Sequence, residues 1–284
     1  MHAVRFHEFG GAEVLRHEDV DVPVPGRGEV RLRVAGTSFN DLDAALRSGT
    51  LPGVRLPHTP GVDVAGTVDA LGPGRARFPV GAAVVGLLPS AAPGAAAQFV
   101  LAGADDLTGA PRQVPLADVA ALPLVGLTAW QAVVDHGRLR PGERVLVHGA
   151  GSAVGHYAVQ LAREVSADVV LAGTATAASV DLALVLAPLP GDRTQALLAA
   201  VRDGGRIVST AGPAPRDPTR GIRGVDVVVR RDTDQLADLV ARVCTRELRL
   251  HVAERVPLVD LPAVHARAAV AGLPGKVVVL APTA

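Results

Sequence analysis

Cysteine is almost absent: Cys244 is the only one in 284 residues. One thiol forms no intramolecular disulfide and cannot supply a two- or four-cysteine zinc site. Set among Leu236, Leu239, Val240 and Val243 at helical spacing, it reads as a packed structural thiol rather than a nucleophile. An excess of one charge sign is also missing. Acidic and basic residues balance at 28 each, so nothing points to nucleic acid or an anionic membrane surface. No uncharged apolar run reaches the roughly 18–20 residues of a membrane span. The start, residues 1–9, is polar and strand-like rather than a charged-then-apolar leader. These absences predict a soluble cytoplasmic protein whose partner is a small molecule. Aromatics are scarce at 2%, and Lys276 is the only lysine. What is abundant is core material, with 49% of residues hydrophobic, enough for one large domain or two ordinary ones.

The first third reads as β. Short runs at 4–6, 14–17, 30–34 and 61–68 are rich in β-branched residues and separated by Pro and Gly, as in Pro23-Val24-Pro25-Gly26. Residues 40–47 carry a short helical pattern, and 80–85 and 97–101 read as further strands. Near 116 the pattern changes. Asp118 is placed to cap a helix, 127–134 repeats apolar residues at helical spacing, and Pro141-Gly142 stops it. Strands are then expected at 144–148, 168–172, 181–186, 206–210 and 225–229. Helices are expected from 156 to about 165, at 194–201 and at 233–246. The tail reads strand, helix, strand at 251–256, 261–270 and 276–280. Strands alternating with helices indicate a parallel sheet.

Between the strand at 144–148 and its helix lies Gly149-Ala150-Gly151-Ser152-Ala153-Val154-Gly155. A glycine turn at a helix N-terminus lets backbone N–H groups face a pyrophosphate, with the helix dipole assisting. The same cluster also serves as a plain structural turn. Its placement between strand and helix favours the dinucleotide reading. Two departures stand out. Ala150 and Ser152 occupy positions where glycine is usual, and Leu171-Ala172-Gly173-Thr174 offers neither a carboxylate for a ribose diol nor an arginine for a 2′-phosphate.

These segments carry a resemblance. Phe9-Gly10-Gly11 with Val14-Leu15, Gly28-Glu29-Val30, Asn40 through Asp43 with Arg47 and Gly49, and Pro60-Gly61-Val62-Asp63-Val64-Ala65-Gly66 belong to it. So do Gly126-Leu127-Thr128-Ala129, residues 145–155, Ala158-Val159-Gln160-Leu161-Ala162, Gly204-Gly205-Arg206 and Gly275-Lys276-Val277-Val278. In that order they resemble the zinc-free quinone oxidoreductase branch of the medium-chain dehydrogenase/reductases. The resemblance implies an α/β fold: a GroES-like, mostly β catalytic domain formed by both chain ends (1–116 and 251–284) around a Rossmann-like parallel-sheet domain (117–250). It implies hydride transfer from NADPH or NADH to a quinone, enone or enoyl thioester, without a metal, in a homodimer formed through the sheet edge at 225–229. By position, Asn40 would face nicotinamide and substrate, or simply cap a helix. Thr128 would touch the cofactor near its nicotinamide end. Gly151, Ser152, Val154 and Gly155 would lie under the pyrophosphate, and Ala187, Pro188, Ala211 and Gly212 would flank the nicotinamide. Asp41 would orient its loop. His58, in Pro57-His58-Thr59-Pro60, is the candidate acid–base group. Leu51 stands where some family members carry a tyrosine.

The largest departure is a deletion. In the family, a helix, a third strand and another helix lie between the strands matching 168–172 and 181–186. Here only 173–180 remain. Eight residues reach at most roughly 27 Å, too few for a crossover that contains a helix. An extended return or a reversed strand is expected, and with it the loss of the adenosine site. NAD(P)H binding should then be weak or absent. Two classes of activity follow: a weakly binding reductase, or a cofactor-independent enzyme catalysing cyclisation, isomerisation or elimination on a polyketide-like molecule. A non-catalytic small-molecule-binding protein is a third.

Overall fold

The computed structural model describes residues 1–74, 77–172 and 179–282. They form two compact units, Met1–Leu124 with Arg231–Ala284, and Val125–Arg230.

The first unit opens with β1 (His2–Phe6) and β2 (Leu15–Asp19), an antiparallel pair. Next come β3 (Glu29–Ser38), α1 (Asp41–Arg47), β4 (Asp63–Leu71), β5 (Ala83–Leu87), β6 (Phe99–Gly103) and β7 (Leu107–Gly109). Helix α2 (Pro123–Trp130) leads into the second unit, which holds β8 (Arg144–His148), α3 (Ala153–Glu164), β9 (Asp168–Leu171), β10 (Val180–Val185), α4 (Thr194–Ala200), β11 (Val201–Ser209) and β12 (Arg223–Asp226). Helix α5 (Thr233–Thr245), β13 (Glu254–Pro257), α6 (Leu261–Ala271) and β14 (Val277–Leu280) return to the first unit. Among the described residues, no helix is long and apolar enough to cross a membrane.

The long strand β3 organises the first unit. It pairs antiparallel with β4, β6 and the tail strand β14. One core cluster joins both chain ends, packing Val4, Phe6 and Phe39 against Val256, Leu261 and Val277. Each such buried side chain contributes about 1.5–3 kcal/mol. Residues 116–121 form a 3₁₀ turn rather than the helix that Asp118 was expected to cap. Both carboxylate oxygens of Asp118 instead accept from Arg255, each at 2.7 Å. A distant ionic partner has taken the group that local pattern assigned to a cap.

The second unit is a parallel sheet in the order β12-β11-β10-β8-β9. A dinucleotide-binding sheet runs 3-2-1-4-5-6. With β8 as strand 1 and β9 as strand 2, no third strand is found among the described residues, where β9 stands at the edge. Both β9 and β10 run parallel to β8, so no strand reverses across the shortened connection. Residues 173–178 of that connection lie outside the described residues. At the other edge the strand is Arg223–Asp226, displaced from the expected 225–229. Asp226 turns its carboxylate to the backbone N–H of Ala214, and Val228 beyond it is 89% exposed.

Candidate functional site

At the carboxyl ends of the parallel strands, the turn after β8 meets the loop after β10. Gly149 has φ +82, and a Cβ there would lie 2.7 Å from the Cβ of Ala187. The helix behind it is set just as closely. A Cβ on Gly155 would fall 2.1 Å from the carbonyl oxygen of Gly149. Glycine at 155 is what lets α3 start directly against the end of β8. At Gly151 a Cβ meets nothing within 4 Å. Gly155→Ala should therefore cost about 1–3 kcal/mol by forced displacement of the helix, while Gly151→Ala stays within about 0.5 kcal/mol. Urea unfolding of both variants checks the contrast, and equal losses would contradict it.

Ser152 caps α3. Its hydroxyl accepts from the N–H of Gly155 at 3.0 Å and donates to the carbonyl of Leu186 at 3.2 Å. His148 Nε2 lies 3.2 Å from the carbonyl oxygen of Pro188. The side chains at 148 and 152 thus stitch the two loops together. Val154 stands in the first turn of α3, where N–H groups have no intrahelical acceptor. The loop after β11 is shaped by Ser209, whose hydroxyl donates to Gly212 O at 2.7 Å and accepts from Ala211 N at 3.3 Å. Ala187, Pro188, Ala211 and Gly212 therefore share this rim with the glycine turn. Thr128 sits on α2 and is buried.

The catalytic candidates of the first unit fall in and around a buried polar cluster. Asn40 is 6% exposed. Its amide donates to Asp63 Oδ2 at 2.8 Å, and its oxygen accepts from Lys276 Nζ. Its backbone N–H donates to Asp43 Oδ2 at 3.0 Å, closing a capping box at the start of α1. Asp63 also accepts from Ser38 Oγ at 2.5 Å and from the N–H of Leu124 at 2.7 Å. The sole lysine lies 3.3 Å from Asp63, the two side chains being 2% and 0% exposed. Asp41 is exposed on the first turn of α1. His58 follows the cis Leu56–Pro57 bond, and its ring packs against Phe6 at 5.4 Å between centroids.

Titration separates these groups. Burial pushes Asp43 up to about 6, against hydrogen bonds from Gly61 and Asn40. Burial lowers His58 to about 4 and His265 to about 3, helped by Arg5 and Arg47 respectively. Both rings are neutral at pH 7. A base with a depressed folded pKa contributes stability above its unfolded value near 6.5, and loses it as pH falls. Each histidine should therefore remove on the order of 3 kcal/mol between pH 6.5 and 4. Asp43 works in the opposite sense, favouring the fold below about 4 and losing that contribution as pH rises through 6. The two histidines outweigh the one carboxyl. Stability should fall from pH 6.5 to 4, and less steeply in a His58→Gln/His265→Gln variant. Identical slopes in chemical denaturation across that range would refute this assignment.

Zinc requires three or four donors converging on one point. Among the described residues no three His, Cys, Asp or Glu side chains are so placed. Cys244 stands on α5, and the polar cluster offers its two carboxylates to Lys276 and backbone amides. The residues present do not fit a zinc site.

Two family models cover most of the chain: the alcohol dehydrogenase GroES-like domain over residues 26–141 and zinc-binding dehydrogenase over 158–279. The chain carries an alcohol dehydrogenase GroES-like domain followed by a zinc-binding dehydrogenase domain. It is 37% identical over 172 residues to a quinone-oxidoreductase homolog of Spinacia oleracea, covering 57% of this chain and 52% of that protein. It is 37% identical over 165 residues to the quinone oxidoreductase of Homo sapiens, covering 57% and 50%. The chain spans about half the length of the curated relatives it matches. A solved NAD-dependent alcohol dehydrogenase superposes with a TM-score of 0.89 at 27% identity, covering 99% of each chain. A mycobacterial protein in complex with NADPH superposes with a TM-score of 0.85 at 27% identity, covering 99% of this chain and all of that one.

The sequence marks Asn40 but not the set that holds it: Ser38 and Asp43 are its near neighbours, whereas Asp63 and Lys276 lie 23 and 236 positions away. The signal available was one lysine in an arginine-rich chain, at the head of an apolar strand.

Proposed function

We propose that this protein is a reductase that transfers hydride from NAD(P)H to an activated alkene or quinone. The observation that carries the reading is the turn from β8 to α3, with Gly155 packed on Gly149 and the first-turn amides of α3 at the carboxyl ends of a parallel sheet. That is where a pyrophosphate binds in such sheets. The quinone oxidoreductases among its relatives and the NADPH complex of a structural neighbour support the reading. Bound NAD(P)H would supply the hydride.

In this reading the amides of Ala153 and Val154 hold phosphate oxygens. Ser152 fixes the turn rather than contacting the ligand, because its hydroxyl is already engaged on both sides. The rims at 187–188 and 211–212 border the nicotinamide, with Thr128 beside its reactive end. Asn40 is a positioning residue for the loop between β3 and α1. His58 is neutral and buried, and position 51 holds Leu. The proton that follows the hydride therefore comes from water. The test is NADPH oxidation in the presence of a quinone or an enone. Turnover lost when Gly155 and Val154 are altered, in protein that stays folded, supports the assignment.

One observation favours a second reading. Among the described residues the sheet has no third strand, and β9 ends at its edge without a charged residue, with Leu171 37% exposed. A protein that has lost the adenosine site would catalyse a non-redox cyclisation, isomerisation or elimination without nucleotide.

We further propose a homodimer through β12. Its outer edge leaves backbone groups unpaired among the described residues, and an unpaired edge invites pairing with a second copy. Light scattering at micromolar concentration should give twice the chain mass.

A further inference from the structure

The second unit carries a cavity at the end of the sheet opposite the glycine turn. Its volume is about 440 Å³, and its lining comes from the segment before β8 and the amino ends of β11 and β12. Arg206 and Arg223 are direct neighbours across the two strands. Two of the lining cations are already neutralised. Arg206 donates to Glu143 through Nη1 at 3.1 Å, and through Nη2 as well. Burial pushes the Glu143 carboxyl up, but the Arg206 and Arg140 hydrogen bonds outweigh it and keep the group ionised. Arg202 bonds Asp181 at 2.6 Å, and the other lining acid, Asp135, pairs with Arg230 at 2.9 Å.

That leaves Arg138, Arg140 and Arg223. All three are exposed, and among the described residues none has an ion pair. Arg138 adopts a left-handed backbone conformation, φ 46, uncommon for a residue with a side chain. Its carbonyl is held by Arg206 Nη2 at 3.2 Å. The partly buried Arg206–Glu143 pair thus fixes the backbone that presents one of the three uncommitted arginines. Planar guanidinium groups suit bidentate recognition of phosphate oxygens. The chain as a whole has no excess positive charge, which disfavours nucleic acid or a membrane surface.

We propose that this cavity binds a small-molecule polyanion with two or more phosphate groups, gripped by Arg138, Arg140 and Arg223 above the Arg206–Glu143 pair. The site is separate from the glycine turn and goes beyond the reductase reading. The probes are inorganic pyrophosphate, ADP and citrate, titrated calorimetrically into the full chain and into R138S/R140S/R223S. Among the described residues the side chains of these three arginines have no hydrogen bond or ion pair, so the triple variant should keep its wild-type unfolding midpoint. Pyrophosphate binding should weaken at least tenfold in the variant, and persist in the wild type with NADPH present. If ADP binds more tightly than pyrophosphate, the ligand is nucleoside-linked; if not, it is a free phosphate compound. No pyrophosphate binding, unchanged binding in the variant, or equal affinity for citrate would each overturn the proposal. Displacement of pyrophosphate by NADPH would place the anion at the glycine turn instead, and would overturn this proposal while leaving the reductase reading intact.

Discussion

Replacing Lys276 with methionine should destabilise the protein by about 3–5 kcal/mol, the cost of removing one partner from a buried ion pair. The ammonium group is 2% exposed and supports three acceptors: Asp63, the Asn40 side chain and the carbonyl of Phe39. Without it, Asp63 remains fully buried beside Asp43 with no cation to pair with. Methionine restores most of the volume, so the loss reports charge rather than a cavity. The effect should be strongly non-additive. Asp63→Asn alone disturbs the same cluster, and the double variant should be less destabilised than the sum of the singles, by 1 kcal/mol or more. Chemical denaturation of the four proteins measures the cycle. A single-variant loss below about 1 kcal/mol, or strict additivity, would show that Lys276 is dispensable to the cluster. The same substitution also releases the Asn40 carboxamide. Under the reductase reading, turnover should fall in the fraction that remains folded.

The fold was legible where periodicity is local. The alternation at 144–148 and the glycine turn after it predicted β8 and α3, and the apolar run at 276–280 marked the tail strand β14. The same logic misplaced Asp118, because a cap and a long-range ion pair look identical in sequence. It also placed strand 225–229 too late, since an apolar run says nothing about where a ladder ends. The site was legible in part. A strand-turn-helix glycine cluster is a contiguous signal. The Asn40–Asp63–Lys276 cluster joins positions up to 236 residues apart, and pairing between distant polar groups leaves no pattern in one sequence. Ser152 illustrates the limit. Its position places it under the pyrophosphate, and only its geometry shows the hydroxyl engaged with Gly155 and Leu186.

Titration with NADPH and NADH should give weak affinities that differ by less than about threefold. Discrimination in such sheets depends on the end of the second strand, where a carboxylate takes the ribose diol or an arginine takes the 2′-phosphate. One charge-assisted hydrogen bond contributes about 1.5–3 kcal/mol, or roughly tenfold to a hundredfold in affinity. Here that strand is β9, ending at Leu171, and the sequence Ala172-Gly173-Thr174-Ala175-Thr176-Ala177-Ala178 that follows carries no charge. The arginines of later loops do not replace it. Arg216 lies 3.8 Å from Asp226, and Arg193 stands at the start of α4 after β10. What remains for either nucleotide is shared by both: amides at the start of α3 and the rims after β10 and β11. Calorimetry with each nucleotide, beside NMN as a ligand without adenosine, distinguishes the terms. NMN should bind within about tenfold of NADPH, because adenosine adds little. Tight binding with a strong preference for NADPH would overturn the reading of the shortened sheet. Absence of binding, together with turnover of an activated substrate in nucleotide-free buffer, would replace the reductase with the cofactor-independent enzyme. Asn40, Asp41 and Thr128 would then be the first positions at which to look for its chemistry.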